Sequence, residues 1–267
     1  MTTILETIFD QKRQRVREAE GKVDYTGLIE RAGDARSSLE PHRLRSALSN
    51  PGKLNIIAEF KKASPSKGAI NENCDVTSIA TAYENGGACA MSVLTEEDFF
   101  KGSLNDLREA RSSVSLPILR KDFVFDKFQI YEGADAGADA ILLIVAALTP
   151  GELASLHAVA EDELKMDALV EVHSAEEMEI ATSIGARLIG VNNRDLKTFT
   201  VSLDVSRRLV EHAPPDAILV TESGLRTRGE LLELSALGYS GFLMGETLMR
   251  SGDPVATLRE LVGTVAV

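Results

Sequence analysis

The 267-residue chain has no tryptophan, two cysteines and only 5% aromatic residues, and its 29 Lys and Arg are outnumbered by 41 Asp and Glu. Each shortage excludes something. Cys74 and Cys89 lie far apart without metal-ligand spacing, which counts against a cysteine-built metal centre and leaves them as small core or loop residues. A formal net charge of −12 opposes nucleic acid, whose affinity comes from neutralised phosphates. A small anionic ligand remains open, provided cations and backbone N–H groups cluster locally. No apolar run approaches the roughly 20 residues of a membrane helix, so no membrane span is expected. The opening "MTTILETIFDQKRQRVREAE" has neither a continuous apolar signal core nor a small-residue cleavage site, so the chain is expected in the cytoplasm. A G-x-G-x-x-G turn is missing too, which speaks against a dinucleotide-binding doubly wound sheet.

What is present is a repeat. After the first fifty residues, eight short apolar runs recur: residues 55–60, 88–93, 116–121, 140–145, 168–172, 187–192, 217–222 and 241–245. Their spacing, about 27 residues, suits one strand, one helix and two short loops. The intervening stretches carry helix signals. "TSIATAYENGGA" has a Thr/Ser start and ends at Gly86 and Gly87, Ser174 and Glu177 form a candidate capping box before Gly185, and Thr227, Glu230 and Gly238 repeat the scheme. Eight alternating units predict a closed α/β architecture, a (β/α)₈ TIM barrel, as a single domain over residues 1–267. Residues 1–50 precede the repeat as an N-terminal helical extension. Ile4, Leu5, Ile8, Phe9 and Val16 make one helical stripe opposite a basic run, which predicts a helix packed on the barrel with its charges in solvent. Pocket closure is the less favoured role for it.

In such barrels chemistry comes from the C-terminal ends of the strands. There this sequence collects Glu59 and Lys61, then Arg120, Lys121 and Asp122, Glu171 and His173, Asn192, Asn193 and Arg194, and Glu222 and Ser223. Glu59 and Lys61 leave their strand on one side while Phe60 takes the other. Glu171 shares its face with Leu169; a carboxylate turned toward packed helices lacks a partner, so it is expected at the barrel mouth as a general acid/base. Lys121 is expected among other cations, which lower a lysine's pKa and suit it to donate a proton or to form an imine. "VTESGLRT" and "FLMGETLM" each place Gly directly after a strand and before a helix start, the usual barrel phosphate site.

Six motifs, "IIAEFKKASPSKG", "LPILRKDF", "ALVEVH", "IGVNNRDL", "TESGL" and "GFLMGETLM", together span nearly the whole chain. In their order and spacing the sequence resembles the indole-3-glycerol-phosphate synthase family of tryptophan biosynthesis. The resemblance implies a carboxy-lyase that closes 1-(2-carboxyphenylamino)-1-deoxyribulose 5-phosphate to an indole with loss of carbon dioxide and water, without cofactor or metal. It implies Lys121 as the general acid on the substrate carbonyl, Glu171 as the acid/base of dehydration, and Glu59, Lys61 and Asn192 as orienting and charge-stabilising groups. For substrate binding it implies Ser223, Gly224, Gly245 and the Glu246 backbone, with Lys61, around phosphate. Arg194 meets the carboxylate, and Phe100, Phe123, Leu143 and Leu196 lie against the ring. Ser64 belongs to a covering loop, "SPSKG". Some relatives have Ser where Glu246 stands; a carboxylate cannot donate to phosphate, so only its backbone contributes. The partner implied is a small phosphorylated anion; a homodimer or a tryptophan-pathway enzyme partner is left open. The rivals are a phosphoribosylanthranilate isomerase-like barrel, which by its own family pattern wants a cysteine where Glu59 stands, a lysine-dependent aldolase, and a non-enzymatic phosphate-binding barrel.

Overall fold

The computed structural model describes residues 4–50, 52–71 and 74–263; the expected domain limits, residues 1–3 and 264–267, lie outside that range. Eight strands form the barrel: β1 (Asn55–Phe60), β2 (Ala90–Leu94), β3 (Ile118–Lys121), β4 (Ala140–Ile144), β5 (Asp167–Val172), β6 (Leu188–Asn192), β7 (Ile218–Glu222) and β8 (Gly241–Met244). Each runs parallel to its neighbours, and β8 returns to β1 with Asn55 opposite Gly241, which closes the barrel. The eight predicted runs coincide with these strands to within two residues.

Alternation along each strand sorts the apolar side chains into two populations. Ile57, Ala90, Leu119, Leu142, Leu169, Leu188, Val220 and Leu243 pack together inside the barrel. Ile56, Met91, Ile118, Leu143, Val170, Ile189 and Phe242 belong to the larger core between strands and helices. This two-sided burial explains why the strands read as nearly continuous apolar runs.

The three helices before β1 have different tasks. From α3 (Arg43–Leu48), Leu44 and Leu48 join the interior cluster and plug the bottom of the barrel. Burying each contributes about 1.5–3 kcal/mol. Ion pairs hold the plug: Arg43 reaches Asp139, which also accepts from Arg36 of α2 (Tyr25–Ser37) and from Arg111. At the same face Arg45 lies 3.0 Å from Glu161 and 3.3 Å from Asp167. His42, Glu161 and Asp167 come close enough together there to hold a metal ion, but the Arg45 guanidinium already serves as their cation.

α1 (Ile4–Glu20) departs from expectation. Its apolar stripe packs as predicted, yet Ile4, Leu5 and Ile8 also line the cavity at the barrel mouth, so the helix takes part in closing it. Its basic run is only partly in solvent, because Lys12 is buried. Lys12 Nζ sits 2.8 Å from Asp122 and 3.0 Å from Glu97, while Arg15 pairs with Asp98. A helix-by-helix reading cannot anticipate this, because the carboxylates that draw Lys12 inward come from loops after β2 and β3.

The caps follow the sequence with two local differences. Thr227 and Glu230 form the complete reciprocal box, and Gly238 ends that helix at φ 117°. Ser174 accepts from the Glu177 N–H, but the Glu177 side chain turns to the backbone and ring of His173. The helix Val76–Gly86 is capped by Asp75, whose carboxylate takes the Ser78 N–H, in place of the expected Thr/Ser; Gly87 ends it at φ 91°.

Candidate active site

The strand ends surround a cavity of about 630 Å³. Glu59, Lys61, Lys121, Glu171, Asn192 and Glu222 form its floor, and each has the inward phase of its strand. Lys121 Nζ lies 3.3 Å from Glu171 and 3.3 Å from Glu222. Lys61 donates to Glu59, and His173 Nε2 stands 3.4 Å from the other oxygen of Glu171. Asn192 accepts from the Arg194 N–H and hydrogen-bonds the Glu171 side chain.

Charge is unevenly distributed over this floor. Burial by itself lowers the pKa of the Lys121 ammonium, but Glu222, Glu171 and Glu59 outweigh burial and hold it above the usual lysine range. Carboxylates, in place of the expected cations, therefore set the surroundings of Lys121: Arg120, the adjacent guanidinium, points out of the barrel to Gln129, Asp122 and Glu132. Burial also pushes the two carboxyls up, and here they diverge. For Glu171 the charges of Lys121 and His173 and the hydrogen bond of Asn192 prevail, holding it below the usual range. For Glu222 burial prevails over Lys121 and is reinforced by Glu171 and Glu59, so its carboxyl is pushed up to about 7. Burial lowers His173, but Glu177 and Glu171 raise it overall.

One wall is apolar. Phe100 and Phe123 face each other with ring centroids 6.0 Å apart, and Leu94, Leu142, Ile144 and Leu196 continue the surface. Leu143, expected there, is a correction. It lies on the outer face of β4 in the core beneath the helices, and its two neighbours Leu142 and Ile144 take the inward positions. In "AILLIV" every residue is apolar, so nothing in the strand marks which alternate set faces in. Asn193 also faces away, into a buried network with Thr221 and Ser206.

The opposite end of the cavity is polar. Ser223 and Gly224 take left-handed conformations at φ 66° and 89° after β7, and Gly245 follows β8. A β-carbon on Gly245 would overlap the Glu59 carboxylate, so glycine there makes room for a strand-one side chain. Ser64 lies in a short hairpin, Ala63–Ser64 against Gly68–Ala69, whose turn brings Lys67 to the cavity. Glu246 sits 3.5 Å from Lys67 and 3.3 Å from Arg250. Arg194 lines the side of the cavity, with one guanidinium N–H donating to the Phe199 carbonyl.

Several lining residues carry no role in the sequence reading, namely Glu222 beyond its place at a strand end, Lys67, Arg226, Thr247 and Arg250, and the α1 side chains line the cavity although pocket closure was the less favoured role for that helix. Glu222 has a readable signal, since it shares the phase of Val220 as Glu171 shares that of Leu169. The α1 residues have none, because their placement depends on a long-range dock.

A family model described as indole-3-glycerol phosphate synthase matches residues 5–261. The chain is similar to indole-3-glycerol phosphate synthase of Carboxydothermus hydrogenoformans, 46% identical over 97% of this chain and 99% of that one. It is 43% identical to the protein of that name from Syntrophobacter fumaroxidans over the full length of both. Among solved structures it resembles 3-hexulose-6-phosphate synthase from Salmonella typhimurium, with TM-score 0.63, 12% identity, and coverage of 78% of this chain and 96% of that one. At that identity the likeness speaks for the barrel alone.

Proposed function

The chain belongs to the indole-3-glycerol phosphate synthase family and is a carboxy-lyase of that activity, and from this premise we propose which of its residues perform the ring closure. In our reading the substrate's phosphate lies at Ser223, Gly224, Gly245 and the Glu246 N–H, helped by Lys61. Its aromatic ring lies against Phe100, Phe123, Leu142, Ile144 and Leu196, and its carboxylate meets Arg194. Ser64 borders it from the hairpin, which covers the site with α1. The whole chain works as one domain in the cytoplasm on this small anion, and its charge of −12 keeps nucleic acid and anionic membranes out of the account.

The chemistry needs one proton delivered to the substrate carbonyl oxygen as the ring carbon attacks it. Loss of carbon dioxide then restores the aromatic ring, and loss of water follows. Overall one proton is taken up, because the departing carboxylate carried a negative charge. Lys121 supplies the first proton. Its contact with two carboxylates keeps it charged, which also opposes an imine, since only a neutral amine attacks a carbonyl. Glu171, held ionised, takes the proton removed in dehydration, while the reprotonated Lys121 gives a second proton to the departing hydroxyl, so two given and one taken make the net uptake of one. Glu222 titrates near neutrality 3.3 Å from Lys121 and serves as the reserve that reprotonates it. Glu59, Lys61 and Asn192 fix these groups and balance developing charge.

The observation that carries this reading is Lys121 Nζ standing between two carboxylates of opposite protonation preference beneath an apolar wall. The test is indole formation by purified Glu171→Gln and Glu59→Gln. Both are expected to fold normally and to lose at least about a hundredfold in turnover. Wild-type turnover in either removes that residue from the mechanism.

A further inference from the structure

Every strand places side chains on the barrel axis, and on β6 the inward position between Leu188 and Asn192 is a glycine, Gly190. Its backbone does not ask for one. Gly190 is mid-strand, paired with Glu171 on one side and Val220 on the other, and is not among the residues with positive φ. Glycine in a strand interior gives up packing and conformational entropy, so what is gained must be the missing β-carbon. A β-carbon built on Gly190 would overlap Glu222 Oε1 outright, and would stand 3.3 Å from that carboxyl carbon and 3.3 Å from Leu169 Cδ1.

The atom filling that space is unusual in its own right. Glu222 Oε1 is buried without a hydrogen-bond partner, whereas Oε2 of the same group lies 3.3 Å from Lys121 Nζ. We infer that Gly190 is a positioning residue: its missing β-carbon forms a socket that holds one oxygen of Glu222 and thereby aims the other at Lys121. The inference rests on the reading of Glu222 as the proton reserve. A carboxylate oxygen in a dry socket without donors is costly, and the neutral acid is less so. The socket therefore sets both where Glu222 stands and how tightly it holds its proton, in keeping with a carboxyl pushed up to about 7. A methyl group in the socket would drive the carboxyl up toward the open cavity, away from Lys121 and into contact with water.

The experiment is a double-mutant cycle of Gly190→Ala and Glu222→Asp, read as kcat, KM and the pH profile of kcat. Gly190→Ala alone is expected to lower kcat at least about tenfold with KM changed less than about twofold, the split of a group acting on the proton transfer and not on binding. Its alkaline fall in kcat should begin at lower pH than in the wild type, because a rehydrated Glu222 loses its proton earlier. Shortening Glu222 by one methylene withdraws it from the added methyl, so in the Glu222→Asp background the same alanine should cost less than about twofold. If Gly190→Ala does not fold, the cycle is read in melting temperature, and recovery of folding by Glu222→Asp supports the socket while failure to recover overturns it. A wild-type kcat and pH profile for Gly190→Ala, or an equal loss in both backgrounds, likewise overturns the socket. Glu222→Gln alone separates the two layers. If it matches the wild type, the proton reserve itself is wrong; if it is slow while Gly190→Ala is not, only the socket fails.

Discussion

Lys12→Met should uncouple the N-terminal helix from the mouth of the barrel. Lys12 is buried, and its ammonium meets Asp122 at 2.8 Å and Glu97 at 3.0 Å. Removing one partner of a buried pair costs about 3–5 kcal/mol when the other is left uncompensated. Asp122 is not left bare: Arg120 stands 3.0 Å away, and Thr95 and the Phe123 N–H also donate to it. The lower end, about 3 kcal/mol, is therefore the working figure. At 1.4 kcal/mol per factor of ten, this shifts the local opening of α1 by roughly two powers of ten. Hydrogen exchange of the α1 amides reads that opening directly, and a loss of protection of about a hundredfold is expected there, with the β-strand amides little changed. Because Ile4, Leu5 and Ile8 leave the cavity when α1 opens, KM should rise severalfold and kcat fall less. The pH dependence has a definite sign. Burial raises Asp122, but Lys12 and Arg120 outweigh it and hold the carboxyl well below its usual range. The stability it contributes is thus present above the unfolded carboxyl value and lost only as pH falls through the lower folded one. In Lys12→Met the opening of α1 no longer removes a cation from Asp122, so α1 protection should lose the acid dependence that the wild type shows. Unchanged α1 protection together with unchanged KM would refute the coupling.

Three further outcomes follow from the site. Arg194→Ala should chiefly raise KM by removing a charge-assisted contact to the substrate carboxylate, and unaltered substrate affinity would mean that this group is held elsewhere. Leu142→Ala and Leu143→Ala should differ in binding: both side chains are buried and each truncation costs stability, about 2–5 kcal/mol in a denaturation curve, but only Leu142→Ala should also lose substrate affinity at the wall. Glu246→Ser should make inorganic phosphate a stronger competitive inhibitor, because it removes an anion and frees Lys67 and Arg250; equal or weaker inhibition would contradict the placement of phosphate at that end.

How much of this was legible in the sequence depended on whether a residue's neighbours are local. The strands were readable because each apolar run is bounded by its own turn and helix signals. Glu171 could be phased because it is the one charged residue within the apolar run 168–172, and the same parity argument covers Glu222. Leu142 and Leu143 could not be told apart, since both neighbours of each are apolar. The surroundings of Lys121 were misread for a different reason. Arg120 and Asp122 flank it in the chain but leave β3 on the opposite face, while Glu171 and Glu222 arrive from strands fifty and more residues later. Sequence adjacency suggested cations where barrel closure supplies anions. The buried Lys12 repeats the lesson, for its partners Glu97 and Asp122 follow β2 and β3, beyond one and two crossovers.

The central claim is that Lys121 acts as a charged proton donor held between Glu171 and Glu222. Its most direct test is the turnover of Lys121→Met with the carboxyphenylamino substrate, measured beside its melting temperature. The account predicts a folded protein with substrate still bound and kcat reduced at least about a hundredfold. A folded Lys121→Met enzyme that forms indole-3-glycerol phosphate at close to the wild-type rate would contradict it.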